Sequence, residues 1–367
     1  MLRSVVRSFT LSRALVVLFA AIGYFFLPSI HEGVSAPLSP APPWFLSIWY
    51  QWDANWYMSI VTDGYNWVQA DQSNVAFFPL YPLTIKALGW VLGGRYLLAG
   101  LLLSNAFMFG GLVFLYRLVR DDYGDDVARR TVWLLAIFPT SIFFTSLYTE
   151  SLFLLTGVAT FYYARRGRWA MAGVWGLLAS LTRITGILLL LPLAWEYLSQ
   201  KNFSLRKLRP AALWLSLVPG GIFAFMAYLY FGYDRPLAFA ETQASGWGHE
   251  LTPIWSSFTH DISFLVNQSE LWVIYELAAT LLLGVLTVLA VKKLPGSYTL
   301  YMLLSLLFPL ASGTTKSMSR YLLAVFPAFI LLALLSGKRW VLVSMSAVSI
   351  LLLAVSTAAF VTGRWVA

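Results

Sequence analysis

Apolar runs close to the length that spans a bilayer recur from one end of this 367-residue chain to the other, among them residues 9–28, 96–119, 211–232, 271–291 and 340–361. Lipid offers backbone N–H and C=O groups no partners, so runs of about 20 residues fold as helices that satisfy their own hydrogen bonds. The chain therefore reads as one all-α polytopic membrane protein, a single integral membrane domain over residues 1–367, with no soluble catalytic domain appended. Composition agrees: 59% of residues are hydrophobic and 11% charged, against roughly a quarter charged in soluble domains. Cysteine is absent, which removes disulfides and thiolate metal sites.

Charge sets the expected topology. Arg3, Arg7 and Arg13 precede or open the first run, which is long enough to span and is read as a helix rather than a cleaved signal. Further basic clusters occupy short gaps: Arg117, Arg120, Arg129 and Arg130; Arg165, Arg166 and Arg168; Lys201, Arg206, Lys207 and Arg209; Lys292 and Lys293; Lys338 and Arg339. The positive-inside rule places them, with the N-terminus, on the cytoplasmic side. Topogenic lysine and arginine thus account for the net charge of +9, and nucleic acid is not an expected partner.

Parity then constrains residues 77–92, which hydropathy alone would count as a span. Only an odd number of crossings fits between an outward first helix and cytoplasmic Arg117 to Arg130, and the run 96–119 is one of them. The 77–92 run is expected to be interfacial or re-entrant, which Pro79, Pro82 and Lys86 favour. The remaining crossings fall at 129–144, 150–165, 169–182, 184–198, 211–232, 271–291, 298–312, 320–336 and 340–361. The result is about 11 transmembrane helices, a large first outer loop over 29–95 carrying interfacial helices, and a second large outer loop over 232–268.

Two of these crossings are short and meet at Leu181-Thr182-Arg183-Ile184-Thr185-Gly186. A polar turn between short helices can lie below the membrane surface if it lines a cavity, and a basic residue there reads as functional. The other reading of Arg183 is an arginine snorkelling to the interface. Glu276 lies inside a crossing and Glu196 near a cytoplasmic end, where capping or snorkelling would explain them. No internal repeat of the transporter kind is evident.

The first outer loop contains Trp49-Tyr50-Gln51-Trp52-Asp53-Ala54-Asn55-Trp56-Tyr57, one carboxylate among five aromatic rings. As a short amphipathic helix it would put Trp49, Trp52 and Trp56 on one face and Tyr50, Asp53 and Tyr57 on the adjoining stripe. An interfacial aromatic belt explains the rings; it does not explain the acid. Two readings of Asp53 stand: a group that caps or hydrogen-bonds a neighbouring turn, or a partly desolvated base suited to taking a proton from a hydroxyl.

Other outer groups could serve a substrate. Glu150 lies at a tight outer turn near a helix start, where a cap is also an ordinary role. Lys316 and Arg320 lie on the side positive charge normally avoids, and with Arg183 and Lys86 they could clamp a lipid phosphate. The arginines rank first, because a guanidinium grips phosphate with two parallel bonds. There is no Walker loop and no glycine-rich dinucleotide motif. His31, His249 and His260 lack zinc spacing, so no metal or cofactor is expected, a divalent ion on Asp53 and Glu150 being the remaining metal option.

Four blocks in order carry a resemblance: Trp52-Asp53-Ala54-Asn55-Trp56-Tyr57 through Asp63-Gly64-Tyr65; Phe77-Phe78-Pro79-Leu80-Tyr81-Pro82; Thr145-Ser146-Leu147-Tyr148-Thr149-Glu150-Ser151-Leu152-Phe153; and Thr182-Arg183-Ile184-Thr185-Gly186. They resemble the glycosylphosphatidylinositol mannosyltransferase 2 (PIG-V) family, as in a prokaryotic-type relative. The resemblance implies a GT-C-type bundle whose first outer loop holds an essential acid, here Asp53 beside Trp52. It also implies a sugar donor linked to polyprenyl phosphate, with no further cofactor. The expected reaction is inverting transfer of a hexose, mannose in that family, to a glycolipid or other membrane-associated acceptor on the extracytoplasmic or lumenal face. Asp53 would be the base; Trp52, Trp56, Tyr57, Glu150, Arg183, Lys316 and Arg320 would bind substrate. A lipid-linked sugar transporter or flippase is the main competing reading, which predicts functional charges near the midplane and a repeat-related pair of broken helices; a non-enzymatic scaffold is a second, which would tolerate loss of the acid. The loop over 232–268, with Asp234, Arg235, Trp247, His249 and Glu250, is expected to help bind the acceptor.

Overall fold

The computed structural model describes residues 1–29, 42–268 and 271–366. Residues 30–41 of the expected first outer loop, with His31, lie outside these. The described chain is helical, with no strand: α1 (Leu2–Phe26), α2 (Trp44–Ser47), α3 (Ala54–Thr62), α4 (Leu80–Val91), α5 (Tyr96–Tyr123), α6 (Asp125–Ala136), α7 (Glu150–Arg165), α8 (Trp169–Thr182) and α9 (Leu190–Ser199). It continues through α10 (Leu217–Tyr233), α11 (Ala238–Trp247), α12 (Ile254–Gln268), α13 (Leu271–Lys293), α14 (Gly296–Leu310), α15 (Met318–Tyr321), α16 (Phe326–Leu335) and α17 (Arg339–Val361). Short 3-10 turns join several of them.

Among the described residues, α1, α5, α13, α17 and the continuous stretch Pro210–Tyr233 are each long and apolar enough to cross a bilayer; α15 and α16, bent by 83°, would together make a sixth span. Their outward faces are apolar, as on α13 (Leu281, Val285, Val288) and α17 (Val343, Val348, Leu351, Val355). Apolar surface of this extent facing outward along whole helices belongs against lipid. The chain is an integral membrane protein.

The run 77–92, expected to be interfacial or re-entrant rather than a crossing, contains α4, whose 12 residues reach only about 18 Å and cannot cross alone. Two expected crossings take another form. The stretch 129–144 is broken: α6 stops at Ala136 and a 3-10 turn covers Ser141–Phe144. Pro139, which has no N–H to donate, lies in the gap. The stretch 320–336 is likewise not one helix; it bends between α15 and α16, where Pro327 sits at the second position of the restarted helix. At 182–184 the expected break is present, with Arg183 extended at φ −153° and ψ 149°.

The chain divides into two compact units. The first comprises residues 1–64, 81–155 and 332–367, the second 65–80 and 156–331, so the expected loop 29–95 is apportioned between them. In the first unit α1 and α17 lie side by side and run in the same direction. Ser29 and Arg364 link their far ends through Thr362 O and Pro28 O, and Gly23 admits the backbone of Ala358, where a Cβ would clash. Arg13 is not a solvated topogenic charge. It is 8% exposed inside α1 and donates to Ala136 O (3.0 Å), Ser141 O (2.9 Å) and Thr145 Oγ1 (2.9 Å). Its guanidinium satisfies the carbonyls left open where α6 ends.

In the second unit, Val75 and Phe78 from the 65–80 segment pack with Phe225 and Leu229 of α10 and Phe239 of α11. The expected outer loop 232–268 is largely helical, as α11 and α12. Glu196, expected to cap or snorkel, is buried and binds Arg165 (3.1 Å), Gln200 (2.9 Å) and Ser297 (2.7 Å).

Candidate functional site

Residues 49–57 do not form one amphipathic helix. Helix α2 ends at Ser47 and α3 begins at Ala54, and Trp52 between them has φ +55°, a left-handed conformation costly for a bulky side chain. Trp49 and Tyr50 are buried in protein rather than ringed around the unit as a belt. The cause is tertiary. Tyr148 Oη accepts from Asp53 N–H at 3.2 Å and donates to Gln51 O at 3.1 Å, clamping a turn that a continuous helix would open. A strained residue held by its surroundings is a mark of functional sites.

The clamp is itself well supported. Tyr148 is 2% exposed, with its ring edge-on to Phe143 and Phe360 at 4.7 and 6.1 Å. Its neighbour Leu147 seats against Gly100 of α5, and Ser104 of α5 donates to Ser146 O at 2.9 Å. The next residue, Thr149, meets the Tyr57 hydroxyl at 3.3 Å. Tyr57 stacks edge-on to Tyr81 at 5.4 Å, whose hydroxyl meets Ser104 Oγ at 2.7 Å. Thus the 145–151 block holds the 51–57 block, and α5 backs both.

Asp53 occupies the N-cap position of α3, yet no side-chain hydrogen bond from it caps the helix. Its carboxylate thus does not cap α3 itself. It is half-buried. Beside it, Gln51 Oε1, Trp52 Nε1 and Asn55 Oδ1 are buried atoms that find no hydrogen-bond partner among the described residues, although buried polar atoms nearly always have one. Trp52 also lies edge-on to Trp365 at 5.0 Å, and Trp56 is half-buried on α3. Glu150, 1% exposed, opens α7 in the same unit. Burial pushes the Tyr50 phenol up to about 12 and the Tyr81 phenol well above its ordinary value, so both act as neutral hydroxyls.

Arg183, Lys316 and Arg320 belong to the second unit. There both arginines lie against the Tyr321 ring: Arg183 Cζ lies 5.1 Å and Arg320 Cζ 5.8 Å from its centroid. Arg183 is half-buried. Arg320 is 7% exposed and donates to Ser317 Oγ at 3.2 Å, while Lys316 is exposed, its Nζ 5.9 Å from the Trp272 ring. Lys86 is exposed on α4, in the first unit.

Two acids brace the segment that carries these cations. Glu276 accepts from Ser319 N (2.7 Å) and Ser319 Oγ (2.9 Å). Asp261 accepts from Thr315 N (2.8 Å), Thr315 Oγ1 (2.5 Å) and Thr314 Oγ1 (3.3 Å), and its Oδ1 lies 3.0 Å from His260 Nδ1. Sequence reasoning treated Glu276 as a cap or snorkel and did not single out Asp261; neither neighbourhood is local in sequence. The 232–268 residues expected at the acceptor have structural contacts: Arg235 lies over Trp67 (5.4 Å) and Trp247 is edge-on to Phe77 (5.8 Å). No group of three or more His, Cys, Asp or Glu suited to a metal ion is found among the described residues.

Fold and geometry thus define a multi-span helical membrane protein with a carboxylate presented at a clamped, strained turn. The sequence profile of the mannosyltransferase (PIG-V) family matches residues 43–262, and the chain belongs to that family. The match takes in Trp52, Asp53, Trp56, Tyr57, Glu150 and Arg183; Lys316 and Arg320 lie beyond it. No curated protein matches the chain. Among solved structures it is similar to the Archaeoglobus fulgidus oligosaccharyltransferase in complex with zinc and sulfate, at 14% identity and TM-score 0.45, covering 96% of this chain and 52% of that one. It is also similar to the apo form (13%, TM-score 0.44, 96% and 56%) and to the archaeal oligosaccharyltransferase AglB from Archaeoglobus fulgidus with an inhibitory peptide and a dolichol-phosphate (13%, TM-score 0.40, 96% and 55%). The chain spans about half the length of these structures.

Proposed function

We propose that this protein is a GT-C-type membrane glycosyltransferase that moves a hexose, mannose on the family's precedent, from a polyprenyl-phosphate-linked donor to an acceptor hydroxyl on the extracytoplasmic face. The observation that carries the reading is the clamped turn at 51–53. It presents a carboxylate not used as a helix cap, in a block that lies within the family match.

The chemistry is an inverting single displacement. The acceptor oxygen forms a bond to the anomeric carbon as the bond from that carbon to the phosphate oxygen breaks. The hydroxyl proton passes to Asp53, and the bonding pair leaves on the polyprenyl phosphate. Glycoside hydrolysis needs a second carboxyl to protonate a poor leaving group. A phosphate leaves as a stabilised anion, so cationic groups can take that acid's place. Arg183 and Arg320, both against the Tyr321 ring, are assigned to the donor phosphate, with Lys316 nearby in sequence. Gln51, Trp52 and Asn55 are assigned to hydroxyls of the sugar or acceptor, and Trp56 and Tyr57 to aromatic support.

Purified protein reconstituted with labelled polyprenyl-phosphate-mannose and candidate glycolipid acceptors tests each part. Asp53→Asn inserts normally and loses transfer by about 10²–10⁴-fold, the usual worth of a general base. Arg183→Ala and Arg320→Ala raise the donor KM. Undiminished transfer by the Asp53 variant would remove the base, and unchanged donor dependence in both arginine variants would remove the phosphate assignment.

A further inference from the structure

The first unit contains a second polar site that the proposed reaction does not use. A cavity of about 560 Å³ opens where α1, α6 and α17 begin. It is lined by Arg7, Arg129, Arg130 and Arg339, with Ser4, Ser8 and Ser336 among them and Asp126 as the single lining acid. Its cations differ in how they are engaged. Arg129 pairs with Asp125 at 2.5 Å and with Asp126, and Arg130 donates to Ser336 O at 2.9 Å. The Arg7 and Arg339 side chains make no hydrogen bond or ion pair among the described residues, and both residues are exposed at the cavity.

The lining changes character with depth. Leu11 follows Arg7 by one turn on α1, and Leu342 follows Arg339 by three residues on α17; Trp133 of α6 joins them. Residues three and four apart share a helix face. Because α1 and α17 run in the same direction, both arginines lie at the mouth and both leucines on the membrane side of it. A cationic rim over an apolar wall suits an amphiphile better than a free anion, and an indole at this level is typical of the headgroup zone. The cavity is also remote from Asp53. Trp52 packs on Trp365 beyond the far end of α17, and that helix's 23 residues extend about 35 Å.

We propose that this cavity binds the headgroup of an anionic phospholipid, with its phosphate among Arg7, Arg130 and Arg339 and its first methylenes on Leu11, Leu342 and Trp133. On the positive-inside reading the lipid comes from the cytoplasmic leaflet. The phosphate is held by charge-assisted hydrogen bonds that the two rim arginines have available.

The test uses the full-length protein in phosphatidylcholine bilayers containing trace spin-labelled phosphatidylglycerol or spin-labelled phosphatidylcholine. The wild type immobilises phosphatidylglycerol preferentially. Arg7→Gln with Arg339→Gln lowers that preference by roughly fivefold per arginine removed. Arg3→Gln with Lys338→Gln, which removes neighbouring charge outside the cavity, leaves it unchanged. Equal immobilisation of the two lipids, or equal loss in both double variants, would overturn the proposal. Displacement of the labelled lipid by inorganic phosphate, but not by chloride of equal ionic strength, would instead show a site for soluble phosphate and also overturn it. Transfer activity of each variant, read in parallel, keeps this outcome separate from the fate of the Asp53 assignment.

Discussion

The clamp on the Asp53 turn makes a quantitative prediction for Tyr148→Phe. The substitution keeps the ring, and with it the contacts to Phe143 and Phe360, so it opens no cavity. It deletes one oxygen that serves two backbone groups, Asp53 N–H at 3.2 Å and Gln51 O at 3.1 Å. Each bond has a net worth of about 1 kcal/mol, so the pinned turn loses about 2 kcal/mol relative to its alternatives. That is roughly 30-fold in population, since about 1.4 kcal/mol is tenfold. Trp52 at φ +55° adds a tendency to relax once the turn is released. The expected outcome is a kcat lowered by about 10- to 30-fold, an acceptor KM changed little, and thermal unfolding shifted only modestly. Initial rates in proteoliposomes and a melting curve on the same preparation measure all three. The size of the loss discriminates. A kcat equal to wild type would show that Tyr148 does not position Asp53. A loss as deep as that of Asp53→Asn would show that the phenol takes part in the chemistry rather than holding the turn.

Two other substitutions test the second unit. Glu276→Ala removes both acceptors from Ser319 and should raise the donor KM about tenfold while lowering thermal stability by about 3 kcal/mol, bonds to a charged acceptor being worth about 1.5 kcal/mol or more each; Glu276→Gln should recover part of both, and wild-type donor KM in the alanine variant would remove the bracing role. Gly186→Ala places a Cβ against the backbone of Ala179 and Ser180, which has no room to yield, so the turn carrying Arg183 shifts, with a stability loss of about 2 kcal/mol and weaker donor use; normal values for both would show slack in that turn.

Which features could be read in advance follows from the range of the interactions that form them. The membrane spans rest on local hydropathy, and α1, α5, α10, α13 and α17 lie where apolar runs place them. The break at Arg183 is also local, marked by a short polar interruption between two apolar helices. The kinks at Pro139 and Pro327 carried their own signal, and a stricter use of proline as a helix breaker would have divided 129–144 and 320–336. The 49–57 segment could not be read this way. Its helical spacing is real, but the helix is refused because Tyr148, 95 residues on, binds the turn. Tertiary contacts override propensity there, as they do most readily at functional sites.

The cationic segment of the second unit shows the same principle in sharper form. Its two bracing acids sit 43 and 54 residues upstream of their partners, beyond any local pattern. Yet the arrangement repeats: Asp261 holds the backbone N–H of Thr315, immediately before Lys316, and Glu276 holds that of Ser319, immediately before Arg320. In each case a buried carboxylate fixes the residue preceding a cation. Burying an acid in a membrane protein is costly unless its oxygens are satisfied, and here backbone and hydroxyl donors satisfy them. The cost is then spent on backbone placement, which sets where Lys316 and Arg320 begin and limits how far their side chains can wander. For the phosphate site proposed above, that is the useful place for rigidity, because a guanidinium fixed before the donor arrives loses less entropy on binding it. Loss of either acid should therefore weaken donor binding before it slows the chemical step, and a fall in kcat at unchanged donor KM would contradict this account.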